Sequence, residues 1–261
     1  MKPGKEFTEM TSRSVSSNML YRPMRRIYVF QVPTRIFHWI NVVSLMSLIV
    51  TGYIIGNPPA LLQESEASQN YWFGINRFIH FGSAWIFTVN WIFRVFWAFI
   101  GANKWENWRN FLPLSKKQWK EAWEIIKLDV LMIKNDTHLS IGHNALAGFS
   151  YFIIFIVSLV MVFTGFALYA PMSESWFPQL FNWVIPLLGG DMFVRFIHHA
   201  SMWIFIVFTI IHVHLVMYHD YVEGRGELSS IIGGWKFIEE DILENKNKSE
   251  EQNIKNEDKQ S

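Results

Sequence analysis

Residues 195–214, RFIHHASMWIFIVFTIIHVH, are almost wholly apolar yet carry four histidines and an arginine. The apolar run at 194–218 is long enough to cross a bilayer, since roughly 20 residues of helix span a hydrocarbon core of about 30 Å. His198 and His212 are fourteen residues apart, so they leave nearly the same helix face about 21 Å apart in depth. Ionisable side chains inside a membrane usually face the interior of a bundle and serve a function. The pair therefore indicates two metal centres at two depths.

The composition restricts the kind of metal centre. Of the 261 residues, 51% are hydrophobic and 17% aromatic, which is typical of a membrane protein and not of a soluble domain. Cysteine is absent, which excludes disulfides, cysteine-bound iron–sulfur clusters, thiolate-ligated haem and covalently attached c-type haem. Histidine must therefore hold any metal centre, and haem with two axial imidazoles is the leading candidate. The net charge of +1 indicates no particular partner, and nothing favours binding of nucleic acid.

Four apolar segments predict an all-α integral membrane protein, a bundle of four transmembrane helices with haem held between them. The segments are 36–56, 78–100, 145–170 and 194–218. Lys and Arg concentrate in the N-terminal tail, in the loop around 101–143 and in the C-terminal tail. The positive-inside rule then predicts that both termini are cytoplasmic. We find no cleavable signal peptide in residues 1–35.

The segments outside the spans complete the predicted organisation. Residues 115–134 place apolar side chains at helical spacing, which predicts an amphipathic helix on the cytoplasmic surface. Residues 1–27 are expected to be a polar cytoplasmic tail, and residues 28–238 a four-helix dihaem domain. Residues 239–261 are charged and poor in aromatics, so we expect a disordered cytoplasmic tail.

Depth in the membrane sorts four histidines into two pairs. His38 opens the first span at its cytoplasmic end, whereas His80 opens the second span at its outer end. We therefore expect His80 to face His198 in the outer half of the bundle, and His38 to face His212 in the inner half. Such pairs are typical axial ligands of a haem held between helices. Buried histidines bonded to backbone carbonyls, or a histidine relay for protons, are the alternatives.

Four arginines are candidate partners of haem propionates. Arg35, Arg77 and Arg195 each lie three residues before one of these histidines, on roughly the same helix face and nearer the membrane surface. Each position is equally typical of a boundary arginine that reaches the lipid headgroups. Arg94 lies fourteen residues after His80, which predicts a place on the same face at the depth of the inner pair.

Two long stretches carry a resemblance to a known family, RIFHWINVVSLMSLIVTGY at 35–53 and RFIHHASMWIFIVFTIIH at 195–212. Three shorter stretches agree with it: GHNALAGFSY at 142–151, TGFALYA at 164–170 and SSIIGGW at 229–235. Over roughly residues 28–238 the chain resembles the cytochrome b subunit of membrane-bound nickel–iron uptake hydrogenases. The resemblance implies a place in the inner membrane of a bacterium. It also implies two haem b groups whose axial ligands are His38, His80, His198 and His212.

The same resemblance implies a role in electron transfer. Electrons would pass from the iron–sulfur small subunit of a periplasmic hydrogenase, through the outer and then the inner haem, to a quinone, menaquinone or ubiquinone. Hydrogen chemistry would belong to the large nickel–iron subunit, so the chain itself has no catalytic residue. A cytochrome b subunit of a formate dehydrogenase or of another periplasmic oxidoreductase is the alternative. A transporter or proton channel with a histidine relay is the third hypothesis.

The start of the third span is the candidate quinone site. His143 and Asn144 precede this span at the cytoplasmic boundary beside the inner pair, and His214 lies at the same boundary. Their polar groups can hydrogen-bond a quinone carbonyl and relay protons, since histidine titrates near neutral pH. Alternatively, Asn144 only caps the third helix, a position at which Asn is favoured.

Overall fold

The computed structural model describes residues 24–59, 71–101, 145–224 and 226–240. The predicted amphipathic helix at 115–134 and the predicted quinone residues His143 and Asn144 lie outside these ranges, as does most of each predicted tail. The described residues belong to two units. One comprises residues 28–235, and the other contains residues 24–27 and 236–240.

Helices make up most of the described chain. The elements in order are β1 (Met24–Tyr28), α1 (Val32–Gly56), α2 (Trp72–Ile100), α3 (Ala145–Tyr169), a 3-10 turn (Ala170–Met172), α4 (Trp176–Gln179), α5 (Val184–Leu187), α6 (Asp191–Glu223), α7 (Glu227–Gly233) and β2 (Trp235–Glu239). Four of them, α1, α2, α3 and α6, are long and apolar enough to cross a membrane, which confirms the predicted four-span helical fold. The strands β1 and β2 pair with each other and were not predicted, because each is only five residues long.

Three of the long helices begin earlier than the apolar pattern suggests. The predicted spans start at 36, 78 and 194, next to Arg35, Arg77 and Arg195. The helices themselves begin at Val32, Trp72 and Asp191. Backbone hydrogen bonds continue a helix beyond the hydrocarbon core, so an arginine at the boundary marks the membrane surface and not the helix end. The start of α6 follows Gly190, whose φ of 121° is outside the helical region.

The long helices bury small polar side chains and expose large apolar ones. Val43, Phe78 and Met192 are 69%, 78% and 79% exposed, and they are three of many such residues. Bilayer helices associate through small side chains and hydrogen bonds, because lipid tails already solvate the apolar ones. The buried positions on the spans accordingly include Ser44, Thr51, Thr88, Asn90, Ser158, Thr164 and Ser201.

Helix α1 packs along α2, α3 packs along α6, and α1 also contacts α6. Polar contacts join α1 to α2: Ser47 Oγ lies 2.8 Å from Ser83 Oγ, and Asn90 Nδ2 donates to the Phe37 carbonyl at 2.9 Å. Aromatic rings join α2 to α3, with Trp91 stacked on Phe155 at 4.9 Å between centroids. The chain direction puts the last turns of α1 and α3 at the same end of the bundle as the first turns of α2 and α6.

Candidate functional site: histidines at two levels of the bundle

Four side chains form what we call the upper site. Thr51 and Thr164 lie near the ends of α1 and α3, and His80 and His198 lie near the starts of α2 and α6. Thr51 Oγ1 on α1 lies 2.9 Å from His80 Nδ1 on α2. Thr164 Oγ1 on α3 lies 2.9 Å from His198 Nδ1 on α6. His80 also interacts electrostatically with His198. Two hairpins therefore present one threonine-bonded histidine each to a common region of the bundle.

A glycine follows each of these threonines and lets the imidazole lie against the helix backbone. A Cβ atom built on Gly52 would lie 3.1 Å from His80 Cε1, and one built on Gly165 would lie 3.1 Å from His198 Cε1. These separations are tighter than ordinary van der Waals contact, so a side chain at either position would push the ring away. The two histidine rings therefore pack directly against the helix backbone at these glycines.

The backbone of Thr51 is held as well as its hydroxyl. Asn76, a buried residue on the first turn of α2, donates from Nδ2 to the Thr51 carbonyl at 3.1 Å. Met202 on α6 approaches the same place, since its Sδ atom lies 3.9 Å from a Cβ built on Gly52. Asn76 therefore holds Thr51 beside His80, and Met202 lies next to the adjoining Gly52.

The other end of the bundle holds the lower site, defined by His38, Arg94, Tyr151 and His212. His38 on α1 interacts electrostatically with His212 on α6 and with Arg94 on α2. Tyr151 on α3 interacts with Arg94, and its ring centroid lies 6.3 Å from that of His212. Phe208 stacks on His212 at 5.5 Å and 13°. The Nδ1 atom of His38 is buried and has no hydrogen-bond partner among the described residues.

The three boundary arginines have other contacts. Arg35 Nη1 donates to the Ile232 carbonyl at the end of α7. Arg77 lies over the Phe73 ring at 4.6 Å from its centroid. Arg195 Nε donates to Asp191 Oδ2 at 2.7 Å, and both side chains are at least half exposed. These contacts are of the kind expected for arginines at a membrane boundary, and a role for them at propionates stays a prediction.

The donor set matches haem better than a bare metal ion. No cluster of three or more His, Cys, Asp or Glu side chains that could hold a metal ion occurs within the described ranges. A porphyrin brings four nitrogen ligands of its own, so two imidazoles suffice to complete the coordination of its iron. The His80 and His198 rings, seated on glycines, and the buried unpaired Nδ1 of His38 fit such a group.

Sequence reasoning identified the histidines and Arg94 but missed Thr51, Thr164 and the glycines after them. An internal repeat could have revealed them. Residues 77–87, RFIHFGSAWIF, and residues 195–205, RFIHHASMWIF, differ at three positions, and a Thr-Gly-aromatic sequence occurs at 51–53 and again at 164–166. The histidines and threonines of the upper site are thus equivalent positions in two copies of one hairpin.

The same repeat relates the residues of the lower site, which differ between the copies. Arg94 follows His80 by fourteen residues, as His212 follows His198. His38 precedes Thr51 by thirteen residues, as Tyr151 precedes Thr164. One hairpin therefore contributes a histidine and an arginine to the lower site, whereas the other contributes a tyrosine and a histidine.

The chain is similar to a set of membrane cytochromes. The family model for prokaryotic cytochrome b561 matches residues 29–234. A relative from Azotobacter vinelandii, named "Probable Ni/Fe-hydrogenase B-type cytochrome subunit", is 37% identical over 224 residues, which cover 84% of this chain and 92% of the relative. A relative of the same name from Cupriavidus necator is 33% identical over 218 residues, or 82% and 88% of the two chains. The "Probable Ni/Fe-hydrogenase 1 B-type cytochrome subunit" of Escherichia coli K12 is 32% identical over 228 residues, or 85% and 95%.

Proposed function

The chain belongs to the prokaryotic cytochrome b561 family, and from this premise we propose that it is the membrane-embedded b-type cytochrome subunit of a nickel–iron hydrogenase. In this role the chain accepts electrons from the iron–sulfur small subunit of the enzyme and delivers them to a quinone in the bilayer. The large nickel–iron subunit carries out the hydrogen chemistry. The names of the relatives support the hydrogenase partner, and four apolar helices support the location in a membrane.

The observation that carries the proposal is the upper site, where two equivalent hairpins each present a histidine bonded through Nδ1 to a threonine. His80 and His198 would hold one haem b, and His38 and His212 a second. Haem b supplies reversible one-electron oxidation and reduction when it is bound. The apolar helices around both sites exclude water, which disfavours loss of the group and side reactions of its iron.

The two ends of the bundle have different partners in this proposal. The positive-inside rule assigns the upper site to the outer side, where the iron–sulfur subunit docks, and the lower site to the cytoplasmic side. Arg94 would balance propionate charge at the lower site, and Arg35, Arg77 and Arg195 would do so nearer the surfaces. His143 and Asn144 would bind the quinone carbonyl beside the lower site.

Isolation of the chain from membranes with its partner subunits tests the proposal. We expect two haem b per chain by extraction, and a reduced-minus-oxidised spectrum that develops when hydrogen is added to the complex. A quinone analogue should then reoxidise the reduced protein. Absence of redox-active visible bands would instead favour a histidine relay in a transporter. Reduction by formate but not by hydrogen would assign the chain to a different dehydrogenase.

A further inference from the structure

The hydroxyl of Thr51 bonds to the histidine beside it, and the backbone of Leu48 also makes a hydrogen bond with that ring. Thr51 Oγ1 donates to the Ser47 carbonyl at 2.6 Å and lies 2.9 Å from His80 Nδ1. Since a hydroxyl has one proton, and that proton is used on the helix carbonyl, the oxygen is left to accept from Nδ1–H. A neutral imidazole has a single N–H, so Nε2 of His80 keeps its lone pair for a metal.

The second copy of the hairpin repeats this geometry. Thr164 Oγ1 donates to the Val160 carbonyl at 2.6 Å and lies 2.9 Å from His198 Nδ1. Thr164 is 2% exposed, so bulk solvent has little access to its oxygen. Both histidines of the upper site therefore have Nδ1 protonated and directed to a hydroxyl, with Nε2 available.

The lower site differs in this respect. His38 Nδ1 is buried and makes no hydrogen bond within the part of the chain that the structure describes. Arg94 adds a positive charge that acts on His38. Metal-bound histidines usually donate their other N–H to an acceptor, which makes the ring a stronger electron donor to the metal. The upper histidines therefore have a hydroxyl acceptor at Nδ1, whereas His38 has no such acceptor among the described residues.

We propose that Thr51 and Thr164 are positioning residues that lower the reduction potential of the upper haem relative to the lower haem. Each would accept a hydrogen bond from Nδ1–H of His80 or His198 and keep Nε2 unprotonated to hold a haem, whose ferric state the greater electron donation would stabilise. The resulting difference in potential favours electron flow from the upper to the lower site. The inference rests on the proposed function, because it requires haem between His80 and His198.

Valine substitutions test this role, since valine has nearly the shape of threonine but no hydroxyl. Thr51→Val and Thr164→Val are made singly and together in the full chain with its partner subunits. Haem is counted, the two potentials are titrated in the visible α-band, and ferric low-spin signals are recorded by electron paramagnetic resonance. The titration wave of the upper haem is identified as the one that His80→Ala removes.

Two further variants serve as controls. Thr88 on α2 is 4% exposed and donates to the Ala84 carbonyl at 2.8 Å, yet it makes no hydrogen bond to a histidine in the described ranges. Thr88→Val therefore reports the cost of losing a buried threonine hydroxyl alone. Thr51→Ser keeps the hydroxyl and should restore the behaviour of the unaltered protein.

We expect both haems to remain and the upper potential to rise in each valine variant, while the lower potential stays unchanged. The equilibrium constant for electron transfer from upper to lower haem should fall roughly 3- to 10-fold per threonine, the range for one hydrogen bond. In the double variant, the two increases in the upper potential should add. The electron paramagnetic resonance signal of the upper ferric haem should also shift, because the planes of the histidine rings are no longer held.

Several results would overturn the inference. An upper potential unchanged in both valine variants, or shifted equally by Thr88→Val, would make the threonines ordinary packing residues. Thr51→Val could lose the upper haem altogether. In that case, an upper haem that is kept with a normal potential in Thr51→Ser supports the role. Loss of the upper haem from both variants contradicts it. Absence of haem from the unaltered protein would refute the proposed function itself, which is a distinguishable outcome.

Discussion

The upper and lower sites are made by equivalent positions of a repeated hairpin, yet only the upper site has kept its symmetry. Thr51 and His80 in the first copy match Thr164 and His198 in the second, and the two hydrogen bonds have the same 2.9 Å length. In the lower site, His38 and Arg94 of the first copy match Tyr151 and His212 of the second. The repeated hairpin therefore contributes matching residues to the upper site and different residues to the lower site.

The divergence places different charges at the two levels. The upper side chains are hydroxyls and imidazoles, whereas the lower site includes the Arg94 guanidinium and the Tyr151 phenol, which interact with each other. A charge inside a low-dielectric bundle acts strongly on neighbouring ionisable groups and on a bound metal. In the proposed function, the charge of Arg94 would therefore favour an added electron at the lower site.

Removal of an axial histidine should produce the largest effect and separates the two sites directly. We expect His80→Ala or His198→Ala to halve the haem content by loss of the upper haem, because one imidazole cannot hold a haem that needs two. His38→Ala or His212→Ala should remove the lower haem instead. Haem extraction and the visible spectrum measure both outcomes. Loss of the same haem from His38→Ala and His80→Ala would show that the pairs are wrong.

A change at the predicted quinone site should affect turnover without affecting haem. Asn144→Asp keeps a capping oxygen but alters the hydrogen bonding offered to a quinone carbonyl. We expect both haems to be retained and reduced by hydrogen, with most of the quinone reduction lost. Quinone turnover is assayed beside hydrogen-dependent haem reduction. Normal turnover would move the quinone site away from the lower end of the bundle.

The glycines of the upper site offer a steric test with a matched control. Gly52→Ala and Gly165→Ala place a methyl group 3.1 Å from a histidine ring, which should cost about 1–3 kcal/mol and loosen the upper haem. The greater helix propensity of Ala offsets at most about 1 kcal/mol. Gly82→Ala on α2 meets no atom within 4 Å and should change nothing. Heat-dependent release of each haem measures the effect, and equal loosening of the lower haem would contradict it.

Arg94→Gln should have the smallest effect, confined to the lower site. We expect the lower potential to fall by roughly 70 mV, since a unit charge about 10 Å away contributes about 1.7 kcal/mol at an effective dielectric of about 20, and 59 mV corresponds to about 1.4 kcal/mol for one electron. Arg94→Lys keeps the charge and should shift the potential less. A potentiometric titration resolves the two haems, and an equal shift of both would show that Arg94 does not belong to the lower site alone.

Much of the site could be expected from local patterns, and the rest depended on which helices meet. Arg94 was predicted beside the inner pair from its spacing to His80, and it does interact with His38. Thr51 and Thr164 are marked only by the internal repeat, and their role is not, because a threonine within an apolar helix usually bonds only to the carbonyl four residues earlier. Both make that bond, and only the approach of a second helix gives each a histidine partner.

The sequence by itself determined the four spans and the two depths of the histidines, because the length of an apolar helix and its 3.6-residue turn are local properties. The tertiary structure decided which side chains meet across helices. Gly52 and Gly165 are useful only because α2 and α6 bring histidine rings to 3.1 Å of where a Cβ would stand. Likewise, the hydroxyl of Thr51 can accept from His80 only because α2 packs against α1 at this level, where Asn76 also donates to the Thr51 carbonyl. Such contacts depend on helix packing, which no single stretch of sequence encodes.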